Sequence, residues 1–330
     1  MRSTPETVSW GYIAADLPPV LRIRSGQTVR IDTVSHQGIN TKVDPVTYFG
    51  AAGIPPEQVL QDAQDIFSKV RRTEGAGNHV ITGPVYVEGA QPGDMLEVRV
   101  LDVEFRVPYG VNSTGAGWGV LPELLAQPAL KTIKLDLERR VALFSAEVEV
   151  PLAPFMGIVA VAPPPELVRV STKPPGAFGG NMDFRHLIAG ATLYLPVFNA
   201  GALFYTGDGH AMQGDGEVDG TAIEISLTPT LQLIVHPGAG KAMKWPRAED
   251  AANYYAMGMD ANLDAAMKNA VQETIGFLQQ RAGLSAADAY ALASLSADFR
   301  VGEAVNHVKM VYGAVPKQMF RNNAGYWHKK

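Results

Sequence analysis

The residue types best suited to chemistry lie between Gly179 and Glu224. An acidic loop, Gly180-Asn181-Met182-Asp183, is followed by two apolar runs, around 192–198 and 202–205. A Gly-rich run then carries Asp208, His210, Gln213, Asp215, Glu217 and Asp219. Five glycines, at 207, 209, 214, 216 and 220, interrupt that run, which predicts a loop rather than a helix or a long strand. Loops dense in glycine and ionisable groups carry chemistry more often than packing. His210 stands two residues after Asp208, and a neutral imidazole beside carboxylate oxygens suits Zn²⁺ or a similar divalent ion. The same residues in a plain surface loop would instead make local turn hydrogen bonds.

Further candidates surround this pair. His79 follows a turn at 75–77 and immediately precedes a strand, and it is either a ligand or a satisfied histidine at a core edge. His36, at a strand end, is a further candidate. The Gly-Gly-Asn turn exposes Asp183 as a ligand, unless its carboxylate closes an Asx turn. Glu88, Glu217 and Glu224 are candidate general bases, since a carboxylate beside an activated water can carry its proton. Asp215 and Glu217 would point to opposite sides of an extended chain, so only one of them is expected at a metal. Asp215-Gly-Glu217-Val-Asp219-Gly220 imitates the start of an EF-hand loop, but its twelfth position is Ser226, which offers no bidentate carboxylate. Ca²⁺ bound in another way stays open. His186, His236, His307 and His328 have no acidic residues clustered near them, and His328 reads as solvated.

Composition removes several classes. The 330-residue chain has no cysteine, which excludes disulfides, thiolate ligands and a cysteine nucleophile. G-x-S-x-G and H-E-x-x-H are also missing. A net charge of −5 gives no basic footprint for a nucleic acid. No apolar run approaches the length of a membrane span, and the first residues contain no apolar signal-peptide core, so a cytoplasmic location is the default expectation.

The elements that must position these residues read mostly as strands. Alternation at 8–10, 20–24 and 28–34 predicts short antiparallel strands with a Ser25-Gly26 turn. A helix is predicted over 55–71, with Val59, Ala63, Ile66 and Val70 on one face. Strands return at 85–87 and 95–103, and the Gly/Pro-rich stretch 108–130 reads as a long loop. Five prolines at 151–165 suggest an internal boundary or an irregular crossover. Strands at 223–227 and 231–235 are separated by a predicted turn at Thr228-Pro229. A helix follows with Leu263, Ala266, Met267, Ala270, Val271 and Ile275 on its apolar face, closed by Gly283. Ser285 caps another helix over 286–295, and 299–312 reads as a last strand. The expected fold is mainly β, with sandwich- or barrel-like units, a loose internal duplication of the stretches 83–103 and 190–227, α+β insertions and C-terminal helices.

Three stretches together resemble the acetamidase/formamidase family. The first is Asp208-Gly-His210-Ala-Met-Gln213-Gly-Asp215-Gly-Glu217 with the upstream Asn181-Met-Asp183. The second is His79-Val-Ile-Thr82-Gly83-Pro84-Val-Tyr-Val-Glu88-Gly-Ala-Gln-Pro-Gly93-Asp94. The third is Leu284-Ser-Ala-Ala-Asp-Ala-Tyr290 followed by Asp298-Phe-Arg. The resemblance spans most of the chain and implies one catalytic unit over 1–330. It implies a metal-dependent hydrolase that releases ammonia and a carboxylate from small linear amides such as formamide and acetamide, with a small lactam as a variant substrate. Under that reading a divalent metal, Zn²⁺ or else Ca²⁺, is held by His210, Asp208, His79 and Asp183. Glu88 or Glu217 serves as base, and Asn181 hydrogen-bonds substrate. Relatives in the family also imply a homo-oligomer. Another class remains as the alternative: a β-sandwich binding protein that holds a metal or a sugar through 207–220 without turnover. Pocket size depends on which of Trp118, Phe178, Tyr205 and Tyr109 line it.

Overall fold

The structure is a computed structural model, described for residues 1–40 and 42–321; His328 lies outside these. Mainly β architecture is what the alternation predicts, and the strands gather in two large sheets. In the larger sheet, Phe204–His210 and Phe155–Val161 run side by side at the centre, and every residue of both is buried. The second sheet is built on a long antiparallel pair, Met95–Phe105 with Leu227–His236. Both faces feed one apolar core, in which Ile158 and Ala160 of one sheet join Leu193 and Leu231 of the other. Burying such alternating faces is the main stabilising term in a sandwich of this kind.

Several expectations are corrected by this topology. Leu21–Arg24 and Thr28–Arg30 do not pair with each other. The first runs parallel to Val80–Glu88 in the larger sheet, and the second lies against Leu227–His236 in the other. The predicted turn at Thr228-Pro229 is absent. Pro229 sits inside a continuous strand opposite Val103, and its carbonyl accepts from the Ile31 amide at 3.0 Å. Proline lacks a donor but loses nothing where only its carbonyl is used. The long loop at 108–130 is shorter, because Tyr109–Thr114 and Ala129–Asp136 form a strand pair around it. The proline-rich stretch 151–165 holds the central strand Phe155–Val161 and is no linker. The strands of 83–103 fall in different sheets, so that stretch is not a hairpin.

The helices are recovered with their caps. Pro56–Gln58 forms a 3₁₀ turn, and Gln61–Lys69 buries Ala63 and Ile66. Asn262 caps Leu263–Ala282 by accepting from the Ala265 amide, and Gly283 ends it in the left-handed region at φ 66°. Its buried stripe is Ala266, Ala270, Thr274, Phe277 and Leu278, whereas Leu263 and Met267 are exposed. Close contact explains the choice: a Cβ added at Gly258 would lie 2.1 Å from the Ala270 amide nitrogen, so only small residues fit between helix and sheet. Ser285 caps Ala286–Ser296 as expected. The predicted final strand is a hairpin, Asp298–Glu303 and Lys309–Pro316, whose connection reaches the site described next. No helix among the described residues is long and apolar enough to cross a membrane.

Candidate functional site

The strand Phe204–His210 explains why distant residues meet. One edge is hydrogen-bonded to Phe155–Val161 along its length. The other edge is shared: Phe204, Thr206 and Gly207 pair with Val80–Glu88, while Gly209 and His210 pair with Glu224–Ile225. His79, at the start of one partner, and Glu224, at the start of the other, therefore converge on Asp208 and His210. The glycines serve this strand packing. A Cβ at Gly207 would lie 2.7 Å from the Val80 carbonyl, and one at Gly209 would lie 2.6 Å from that of Ile225. The predicted Gly-rich loop is thus, in its first half, a buried central strand.

Asp208 is the hub. Its Oδ1 lies 3.5 Å from His36 Nδ1, and its Oδ2 lies 3.7 Å from His79 Nε2 and 3.4 Å from His210 Nε2. Glu224 adds Oε1 at 3.3 Å from His210 Nε2 and Oε2 at 3.8 Å from His36 Nδ1. Three sets of ligand atoms each fall within 4.8 Å of one another: His36/His79/Asp208, Asp208/His210/Glu224 and Asp183/His210/Glu217. Asp183, Asp208 and Glu217 all have left-handed backbones, with φ of 46°, 58° and 45°. Such strain persists only where surrounding contacts enforce it.

Hydrogen bonds behind the cluster orient its members. Gln213 donates its amide to the Asp183 carbonyl, which leaves its Oε1 to face His210 Nδ1 at 2.9 Å. His210 must then donate from Nδ1, and its neutral form presents a bare Nε2 to the cluster. His79 Nδ1 contacts Thr172 Oγ1 at 3.1 Å, and His36 Nε2 contacts Gln37. Asn306 donates to Asp183 Oδ2 at 2.9 Å, and its backbone amide is accepted by Glu303. Gly157 forms the floor, where a Cβ would come within 2.6 Å of Asp183 Oδ1 and 2.8 Å of Asp208 Oδ2.

The electrostatics are those of buried imidazoles crowded by carboxylates. Burial lowers His79 to about 4. Burial and the neighbouring carboxylates hold Asp183 and Glu217 well above the ordinary carboxylate range. At His210 burial acts downward, but Glu224 and Asp208 outweigh it and raise its pKa well above normal. His36 Nδ1, Asp183 Oδ1, Asp208 Oδ1, His210 Nε2 and Glu224 Oε2 are buried without a hydrogen bond among the described residues. Several lie within 4 Å of an opposite partner, but their geometry is not that of a hydrogen bond. Buried polar atoms this poorly paired are costly, and imidazole nitrogens with carboxylate oxygens are the donor set a divalent cation satisfies.

A cavity of about 580 Å³ opens onto this cluster, and His36, His79, Asn181, Asp208, Glu217 and Glu224 all line it. Asn181 donates Nδ2 to the Lys173 carbonyl, while its buried Oδ1 has no partner. Of the predicted site residues, His210, Asp208, His79, Asp183, Glu217 and Asn181 are brought together. Glu88 is not: it is exposed at the far end of Val80–Glu88, opposite Arg24, so the strand that delivers His79 carries Glu88 away. Asp215 faces away as well, accepting from the Tyr312 hydroxyl at 2.9 Å, while Glu217 turns inward. Of the four aromatic candidates only Trp118 lines the cavity. His36 and Glu224, weighed at lower rank in the sequence, belong to the cluster. Glu303 and Asn306 carry no local signal, because they arrive from the C-terminal hairpin.

Sequence and structure comparisons agree on one family. The sequence model of the Acetamidase/Formamidase family matches residues 56–173 and 168–322. An acetamidase of Mycolicibacterium smegmatis is 25% identical over 213 residues, 47% of this chain and 52% of that protein. A formamidase of Methylophilus methylotrophus is 25% identical over 259 residues, 62% of this chain and 58% of that protein. The match thus spans little more than half the length of these curated relatives. The crystal structure of an acetamidase from Bacillus halodurans superposes with a TM-score of 0.79 at 29% identity, over 98% of this chain and all of that one.

Proposed function

The chain belongs to the acetamidase/formamidase family, and from that premise we propose that it is an amidohydrolase acting on linear amides, with a divalent metal held in the Asp208 cluster. The products are ammonia and a carboxylate. The observation that carries this reading is the set of five buried, unpaired ligand atoms around Asp208. His79, His210, Asp208 and Asp183 are the ligands we assign, joined by His36 and Glu224, and zinc suits such imidazole and carboxylate donors. The cation supplies Lewis acidity toward water and the amide carbonyl.

The chain's own residues supply the rest. Asn181 offers its free Oδ1 to an amide N–H, which orients the leaving nitrogen. Glu217 lines the cavity, and burial with Asp183 beside it holds its carboxyl well above the ordinary carboxylate range. A raised pKa makes its ionised form a stronger base toward water, and the carboxyl it then becomes can pass that proton to the departing nitrogen. Gln213 holds His210 in the tautomer that leaves Nε2 bare, and Thr172 Oγ1 contacts His79 Nδ1, turning its Nε2 toward Asp208. His210→Ala tests the assignment: ammonia release from acetamide should fall by more than about a hundredfold with the far-ultraviolet circular dichroism unchanged. Turnover that persisted in this variant would remove His210 from the mechanism.

A further inference from the structure

The cavity is larger than its simplest substrates require. Pockets of roughly 300–1,000 Å³ enclose drug-sized ligands, and at about 580 Å³ this one would leave a formamide or an acetamide largely surrounded by water. Its lining is also uneven in chemistry. Polar groups come from the segments that build the cluster. The apolar lining comes largely from the connection at 115–128 and the start of the strand Ala129–Asp136, where Ala116, Trp118, Pro128 and Leu130 line the cavity. Trp118 is 50% exposed and Leu130 is 53% exposed. Large apolar groups gathered at the mouth of a polar site mark a contact surface for something apolar.

This wall is not a loose flap. The Gly117 amide donates to the Pro122 carbonyl at 2.8 Å, and the Val120 amide donates to the Val218 carbonyl at 2.8 Å. Thr114 Oγ1 donates to the Asp219 carbonyl at 2.7 Å. The apolar wall is therefore pinned to the segment that follows Glu217, beside the group assigned the proton transfer. The cluster and this wall line one and the same cavity.

Building on the amide-hydrolase reading, we propose that the cavity selects primary amides with a large aromatic or branched apolar acyl group, packed against Trp118 and Leu130. The reaction is unchanged: water adds, the C–N bond breaks, and ammonia leaves with the proton it gains. Selectivity arises from apolar surface buried along with the transition state, where each added methylene is worth about tenfold or more. The test compares kcat/KM for ammonia release from acetamide and from phenylacetamide by the full chain. The expected result is a preference for phenylacetamide of at least about tenfold. Trp118→Ala should lower the ratio of the two values by about tenfold, and Leu130→Ser serves as a second variant should the first fail to fold. A ratio at or below one, or a ratio insensitive to both variants, would overturn the selectivity and leave amide hydrolysis standing. No release from either amide would overturn the functional reading itself, and this inference with it.

Discussion

Asp208 contacts three imidazoles, yet nothing in its sequence neighbours names two of them. His210 was legible because it lies two residues away, and Glu217 because it shares the same glycine-rich run. Glu88 was misplaced for an equally physical reason: alternation identifies a strand but not which of its ends meets the site. Glu303 shows most clearly what local pattern cannot reveal. It is fully buried in the last hairpin, accepts from the amides of Val305 and Asn306, and leaves Oε2 without a partner. Burial raises it to about 7. Its folded-state pKa thus exceeds the unfolded value, so below about pH 4.5 the proton is bound in both states and nothing is lost. As pH rises toward 7 the unfolded chain ionises first, and stability falls by on the order of 3 kcal/mol. Glu303→Gln keeps the Oε1 acceptor and cannot ionise. Thermal melts of both proteins at pH 5 and pH 8 should show the wild type losing stability relative to the variant as pH rises. Parallel pH dependence would contradict the buried-carboxyl account.

At the scale of elements, the site is a product of strand pairing. Phe204–His210 shares one edge between two partners, and that division brings both His79 and Glu224 to Asp208 and His210. The strands at 95–103 and 231–235, the helix ends at Gly283 and Ser285, and the mainly β character were readable from periodicity and capping chemistry. Pairing partners were not, because hydrogen-bond register between strands about a hundred residues apart leaves no local trace. The Gly-x-Gly pattern at 207–209 misled in the same way: it serves close strand approach, yet in sequence it looks like a turn. Gly157 on the neighbouring strand is the sharpest case. A methyl group there would press into Asp183, Asp208 and the His210 ring. Gly157→Ala should therefore cut amide turnover by at least about a hundredfold while the overall strand content is kept, since the strain falls on ligand side chains. Steady-state rates with circular dichroism check this, and a fully active Gly157→Ala would mean the cluster is looser than described.

Across the whole molecule, two sheets with a shared core, a helix seated on small residues and a hairpin returning Asn306 to Asp183 enclose one acidic, histidine-rich cluster at the base of a wide cavity. Family membership extends over nearly all of this architecture. The scaffold leaves buried imidazole and carboxylate atoms without a hydrogen bond, and the proposed divalent cation would complete them. The most direct measurement is ammonia release from acetamide and phenylacetamide by the purified full chain, before chelation, after exhaustive chelation, and after adding Zn²⁺ back, with metal content determined at each stage. The account predicts one or two divalent ions per chain as purified, loss of turnover when they are removed, and recovery when Zn²⁺ returns. Amide hydrolysis that survives complete removal of metal would contradict it.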